Sequence, residues 1–239
     1  MRLHVIQHVP FEGPSLIAGW AAERGHELTS GLALTEEFPA IDDIDFLVVL
    51  GGPMAADDEV VSPWLHAEKH YIAEAIAAGK LVLGICLGAQ IVAELIGGTV
   101  RRNREPEIGW YAVSRTQAGL EERLFAGLPE TMVVGQWHGD TFDLPVGLEP
   151  LMSSEACVNQ AFVFDGRVVG LQFHLEWTFE SVAALLAACG DELVLGPQWV
   201  TSASQIEEEA PERVEASRAW LFMLLDAMAL RGPGLAGLG

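Results

Sequence analysis

Positive charge is scarce in this sequence: 13 Lys and Arg stand against 34 Asp and Glu, a formal charge of −21 over 239 residues. Such a surface repels nucleic acid phosphates and anionic lipid headgroups, which disfavours a nucleic-acid or membrane-surface role. Long apolar runs are missing too. None approaches the roughly 18 residues that a membrane span requires. The opening run Met1-Arg2-Leu3-His4-Val5-Ile6 stops by Pro10, too soon for a signal-peptide core. Cysteine is sparse: Cys86, Cys157 and Cys189 are scattered, odd in number, and lack the spacing of metal ligands. These absences predict a cytosolic protein without a disulfide framework, a metal or an organic cofactor. Linkers, low-complexity tracts and internal repeats are also lacking, so residues 1–230 read as one domain. Residues 231–239, rich in glycine, read as a disordered tail.

What is present is a globular composition, half hydrophobic and one-fifth charged. Arg2 to Gln7 reads as a first strand, and Ser15 to Arg24 as a helix stopped by Gly25. Residues 45–50 are apolar from Phe46 onward, which suits a strand covered on both faces, and they run into Gly51-Gly52-Pro53. A helix over 64–78 ends at Gly79, and a strand over 81–83 leads through Gly84-Ile85-Cys86-Leu87-Gly88 into a helix that ends before Gly97-Gly98. Short strands are expected at 131–135, 161–164 and 167–172, with helices at 179–188 and 208–229, the last opened by Glu207-Glu208-Glu209. Glu107-Ile108-Gly109-Trp110 reads as a turn into a strand. This alternation predicts a doubly wound α/β architecture, a mostly parallel sheet with helices on both faces.

The chemistry centres on Gly84-Ile85-Cys86-Leu87-Gly88. Two glycines flanking a nucleophile type fit a strand-to-helix elbow, where side chains two before and two after the nucleophile would collide with backbone. The elbow puts the Cys86 thiol at a helix N-terminus, whose dipole favours a thiolate. Cys157 and Cys189 have no such frame and read as buried structural cysteines. An acyl-forming thiolate needs a base. His174 and Glu176 end an apolar strand two residues apart, so in extended chain both point to one face and Glu176 can orient the imidazole. Candidate donors to a tetrahedral oxyanion are the N–H of Leu87 and those of Gly51-Gly52, with Gly52 preferred.

Together, Gly51-Gly52-Pro53, Gly84 to Gln90 and His174-Leu175-Glu176 resemble the signature segments of the class I (triad) glutamine amidotransferases, over roughly residues 1–186. The resemblance implies a flavodoxin-like fold. It also implies attack by Cys86 on the side-chain amide of glutamine, release of ammonia, and hydrolysis of a γ-glutamyl thioester. Gln90 would help hold the substrate. Trp137-His138-Gly139-Asp140 stands where members similar to the GMP synthase amidotransferase domain carry Ser-His-Gly-Asp for the amino-acid end of glutamine. Trp137 departs from that pattern. His138 reads as structural or substrate-lining.

Three readings follow. The first is a glutaminase whose synthase partner is a separate chain, since about 50 residues beyond the triad are too few for a typical domain of about 100–150. The second is a γ-glutamyl peptide or conjugate hydrolase using the same triad, with Trp137 and the His8-to-Gly13 segment accommodating a larger leaving amine. The third is an inactive relative that binds a metabolite or a partner, disfavoured because every group the chemistry needs is present.

Overall fold

The computed structural model describes residues 1–34 and 38–232, so most of the tail expected at 231–239 lies outside the described residues. The chain forms β1 (Arg2–Gln7), α1 (Ser15–Glu23), β2 (Glu27–Leu32), β3 (Phe46–Val49), α2 (Leu65–Ala77), β4 (Leu81–Ile85) and α3 (Leu87–Leu95). It continues through β5 (Thr99–Arg115), α4 (Gln117–Glu121), β6 (Thr131–Asp143), β7 (Met152–Ser153), β8 (Ala161–Phe164), β9 (Val168–Leu171), α5 (Phe179–Cys189) and α6 (Ala203–Ala229).

The described strands make one sheet in the order β2-β1-β3-β4-β9-β8-β7-β5-β6. Its first five members are parallel, with β1 between β2 and β3, β3 beside β4, and β4 beside β9. Reading β9 as the fifth strand, this is the 2-1-3-4-5 order of the flavodoxin-like fold, as expected. Every residue of β3 and β4 is buried, the mark of strands covered on both faces. Successive side chains alternate between the two cores. Leu3, Val5, Phe46 and Val48 pack with Trp20 of α1 and Leu221 and Leu225 of α6. Ile6, Leu47 and Val49 pack with Ile72 of α2 and Ile91 of α3 on the opposite face. The Trp20 indole N–H, which burial would otherwise leave unsatisfied, donates to Asp226 of α6 at 2.8 Å.

The remaining strands, β8, β7, β5 and β6, pair antiparallel and extend the doubly wound part of the sheet. The 17-residue β5 begins with the charged Thr99–Glu107 stretch and shifts register between Arg102 and Glu107. Glu107-Ile108-Gly109-Trp110, expected to be a turn into a strand, lies inside β5 after that shift. The last helix starts at Ala203, before Glu207: the Ser202 side chain accepts from Gln205 N–H, and Ile206 and Ala210 are already buried. Pro211 sits inside this helix, where its missing N–H frees the carbonyl of exposed Glu207. Among the described residues no helix is long and apolar enough to cross a membrane.

Two glycines make contrasting tests of this packing. A Cβ on Gly88 would be driven into the Val49 carbonyl, whereas one on the exposed α1 residue Gly19 meets nothing within 4 Å. In urea titrations, Gly19→Ala should gain about 0.5–1 kcal/mol. Gly88→Ala should lose roughly 2 kcal/mol or more. Equal effects would contradict this packing.

Candidate active site

Cys86 closes β4 and opens α3 with φ 52° and ψ −108°, a left-handed backbone that a non-glycine residue adopts only under local constraint. The constraint comes from both sides. Cys86 N–H donates to the Leu171 carbonyl of β9 at 2.8 Å, and Gly88 N–H donates to the Leu50 carbonyl at 3.2 Å. A Cβ on Gly84 would lie 2.5 Å from the Gly88 carbonyl oxygen. The flanking glycines are therefore needed for the reason read from their spacing.

His174 follows β9 and is pinned by a bridge to Gly135, its N–H donating to the Gly135 carbonyl at 2.8 Å. Its Nδ1 lies 2.6 Å from Glu176 Oε1, both side chains almost wholly buried. Trp177 stacks on the imidazole with centroids 4.4 Å apart and planes 18° apart. Nε2 is buried and has no hydrogen-bond partner among the described residues. Burial opposes a charge on this ring, but the Glu176 carboxylate and the Cys86 thiol beside it outweigh that, holding the pKa well above its ordinary value.

Cys86 and His174 line one cleft of about 220 Å³ with Gly52, Leu87, Gln90 and the Trp137-to-Asp140 segment. The cleft lies beyond the carboxyl ends of β3, β4 and β9, the edge where doubly wound sheets bind ligands. A Cβ on Gly51 would sit 2.6 Å from Glu12 Oε2, 3.2 Å from His174 Cε1 and 3.5 Å from Cys86 Cβ, so a side chain there would crowd both catalytic candidates. The backbone N–H groups of Gly52 and Leu87 make no hydrogen bond among the described residues. The Gln90 amide donates to the Asp140 carbonyl and to Gln172 Oε1, both at 3.2 Å, joining α3 to the cleft wall. Trp137 donates its indole N–H to Glu192 at 3.0 Å and accepts from the Cys86 thiol on its carbonyl at 3.6 Å. The triad, oxyanion and substrate-binding candidates read from the sequence thus lie on this cleft or, for Glu176, directly behind it. Of the His8-to-Gly13 segment, expected to accommodate a leaving group, only Glu12 lines it, and His8 is buried.

The family model described as "Glutamine amidotransferase class-I" matches residues 21–187. The chain belongs to the class I glutamine amidotransferase family. It is 32% identical to the glutamine amidotransferase-like protein YfeJ of Salmonella typhimurium, over 93% of this chain and 96% of that one. It is 34% identical to the GMP synthase of Thermomicrobium roseum over 62% of this chain but only 28% of that protein. The crystal structure of a glutamine amidotransferase from Thermotoga maritima superposes with a TM-score of 0.86 at 32% identity, covering 95% of this chain and 97% of that one.

Several residues of this amidotransferase-family cleft escape a reading along the chain. Glu192 lines it from the turn after α5. It faces Glu12 of the His8-to-Gly13 segment, whose pKa burial raises despite His174 nearby. His138 takes its carboxylate from across the ladder and not from Asp140 of its own segment, whose side chain pairs with Arg102: Glu107 lies opposite it in β5 and binds its Nε2 at 3.1 Å. The ligand-type atoms of Glu107, His138 and Cys157 come within 4.8 Å of one another, a cluster that chain spacing did not reveal. Each is already engaged. Glu107 also accepts from Ser154 and Gln160, His138 Nδ1 bonds the Asp140 carbonyl, and Cys157 pairs with Thr141. The cluster is a hydrogen-bonded brace behind the cleft wall.

Two measurements follow from these environments. Burial pushes the Cys189 thiol up to about 11 and raises Cys157 as well, so iodoacetamide should label Cys86 first, as peptide mapping would show; prior labelling of Cys189 would contradict it. A histidine whose pKa is raised by folding adds stability that is full below its unfolded value of about 6.5 and lost as pH rises through the folded value. The gap in melting temperature between the wild type and Glu176→Gln should therefore be widest near pH 6 and shrink toward alkaline pH. A pH-independent gap would mean that His174 does not hold its charge through Glu176.

Proposed function

We propose that this chain hydrolyses the side-chain amide of glutamine through a covalent thioester on Cys86. The observation that carries this reading is the pairing of a thiol in a strained elbow with an imidazole whose Nδ1 is held by buried Glu176 and whose Nε2 is free. In the proposed sequence the Cys86 thiolate attacks the amide carbon, and the carbonyl oxygen becomes an oxyanion that accepts from the free N–H groups of Gly52 and Leu87. His174 then donates its Nε2 proton to the amide nitrogen, the C–N bond breaks, and ammonia leaves the γ-glutamyl thioester. The neutral imidazole takes a proton from water as the oxygen attacks the thioester carbon. Collapse of the second oxyanion breaks the C–S bond and releases glutamate. Glu176 keeps the ring oriented throughout. Gln90 helps hold the substrate, and the backbone of Trp137, His138, Gly139 and Asp140 holds its amino-acid end.

The ammonia acceptor in this reading belongs to a separate synthase chain, a proposal supported by the likeness to GMP synthases, which extend well beyond the matched region. A second reading, a γ-glutamyl conjugate hydrolase, is favoured by the cleft lining itself. Trp137 supplies an apolar wall, and the carboxyls of Glu12 and Glu192 supply acidic ones, suited to a leaving group larger than ammonia and bearing positive charge.

Release of ammonia and glutamate from L-glutamine, measured beside amine release from γ-glutamyl amides, tests both. Wild type should turn over at least one substrate class, and Cys86→Ala should lose at least about 10⁴-fold in kcat. Glu176→Gln should lose roughly 10²-fold. Cleavage of γ-glutamyl amides alone would select the second reading, and activity that survives Cys86→Ala would sink both.

A further inference from the structure

Gly51 and Gly52 lie beyond the end of β3 and have no side chains to set the rotation of the peptide between them. A peptide with glycine on both sides turns over easily, yet the proposed mechanism, on which this inference rests, needs its N–H on the cleft side. Behind it stands His8, at the end of β1. Its Nδ1 lies 2.9 Å from the Gly51 carbonyl oxygen, and its Nε2 lies 2.9 Å from Glu68 Oε1 of α2. Both side chains are fully buried. The fit is close: a Cβ on Gly52 would come within 2.7 Å of His8 Cβ.

We infer that His8, backed by Glu68, is a positioning residue that locks the Gly51–Gly52 peptide with its carbonyl away from the cleft and the Gly52 N–H toward it. The described chain has no cis peptide bond, and in a trans peptide the C=O and N–H point in opposite directions. Holding the Gly51 oxygen on His8 therefore turns the Gly52 N–H to the other side, where Gly52 lines the cleft and its N–H has no partner among the described residues. The two atoms facing the ring are acceptors, a carbonyl and a carboxylate, so both ring nitrogens donate, as an imidazolium does. Burial opposes that charge, but Glu68, the Gly51 carbonyl and more distant Glu12 outweigh it and raise the His8 pKa. The Trp64 ring closes the remaining approach at 5.7 Å between centroids. Charge-assisted bonds of this kind are roughly twice as strong as neutral ones, which suits a peptide that must not rotate as the oxyanion forms.

The test compares two double variants that leave no unpaired carboxylate buried. His8→Phe/Glu68→Leu keeps a ring but no donor, and His8→Asn/Glu68→Leu restores an N–H near the position of Nδ1. The phenylalanine variant should lose about 10²-fold in kcat, the order seen when one oxyanion donor is removed. Its KM should stay within about twofold, and Cys86 should be alkylated by iodoacetamide at the wild-type rate, since alkylation forms no oxyanion. The asparagine variant should recover most of the kcat, and crystal structures should show the peptide turned over only in the phenylalanine variant. An unturned peptide with unchanged kcat, or a joint fall in kcat and alkylation, would overturn the inference. If the wild type proves inert on glutamine and γ-glutamyl amides, the proposed function falls while the crystal structures still decide the anchoring. If neither variant folds, ¹⁵N NMR of wild-type His8 decides: both nitrogens protonated is the expected result, and a bare Nδ1 overturns it.

Discussion

The close approach of α3 to the end of β3 is the constraint on which the rest of this site depends. Gly88 donates its N–H to the Leu50 carbonyl, and its missing side chain lets the helix settle against Val49. That contact goes with the left-handed turn at Cys86, which sets the thiol on the cleft. It also fixes the distance between the elbow and the Gly51-Gly52 segment, so the two free N–H groups and the thiol share one cleft. A bulkier residue at position 88 would separate them together.

The parallel half of the fold was legible because burial on both faces leaves a plain trace: β3 and β4 read as apolar runs, and the helices between them as periodic ones. Element bounds agreed to within a residue or two for β1, α1, α2 and α5. The antiparallel half was less legible. The first half of β5 is Arg- and Glu-rich and partly exposed, so it carries no strand periodicity, and its pairing with β6 becomes visible only as a ladder. β2 is an edge strand without a clear apolar alternation, whose partner supplies what its residues do not. For α6 the capping Ser202, and not the acidic triplet, sets the start.

For the site, legibility followed distance along the chain. Cys86 with its glycines and His174 with Glu176 are local patterns, whose geometry follows from the turn and from strand alternation. Glu107 opposite His138, Glu68 behind His8 and Trp177 over His174 are partners made by folding. Trp177 is close in sequence, but its stacking depends on Gly135 in β6, where any side chain would occupy the indole's place. No spacing rule connects these pairs. They are what holds the legible residues in position.

The hydrogen bond from Cys86 N–H to the Leu171 carbonyl also places the site in time. β4 gains its second parallel neighbour only when β9 arrives, after the whole antiparallel excursion has been made, and contacts of such long sequence separation form late in folding. On the ribosome the thiol is made long before His174 leaves the exit tunnel. A nascent chain therefore carries its cysteine without its imidazole, and the reactive pair comes into existence only as the sheet closes around it.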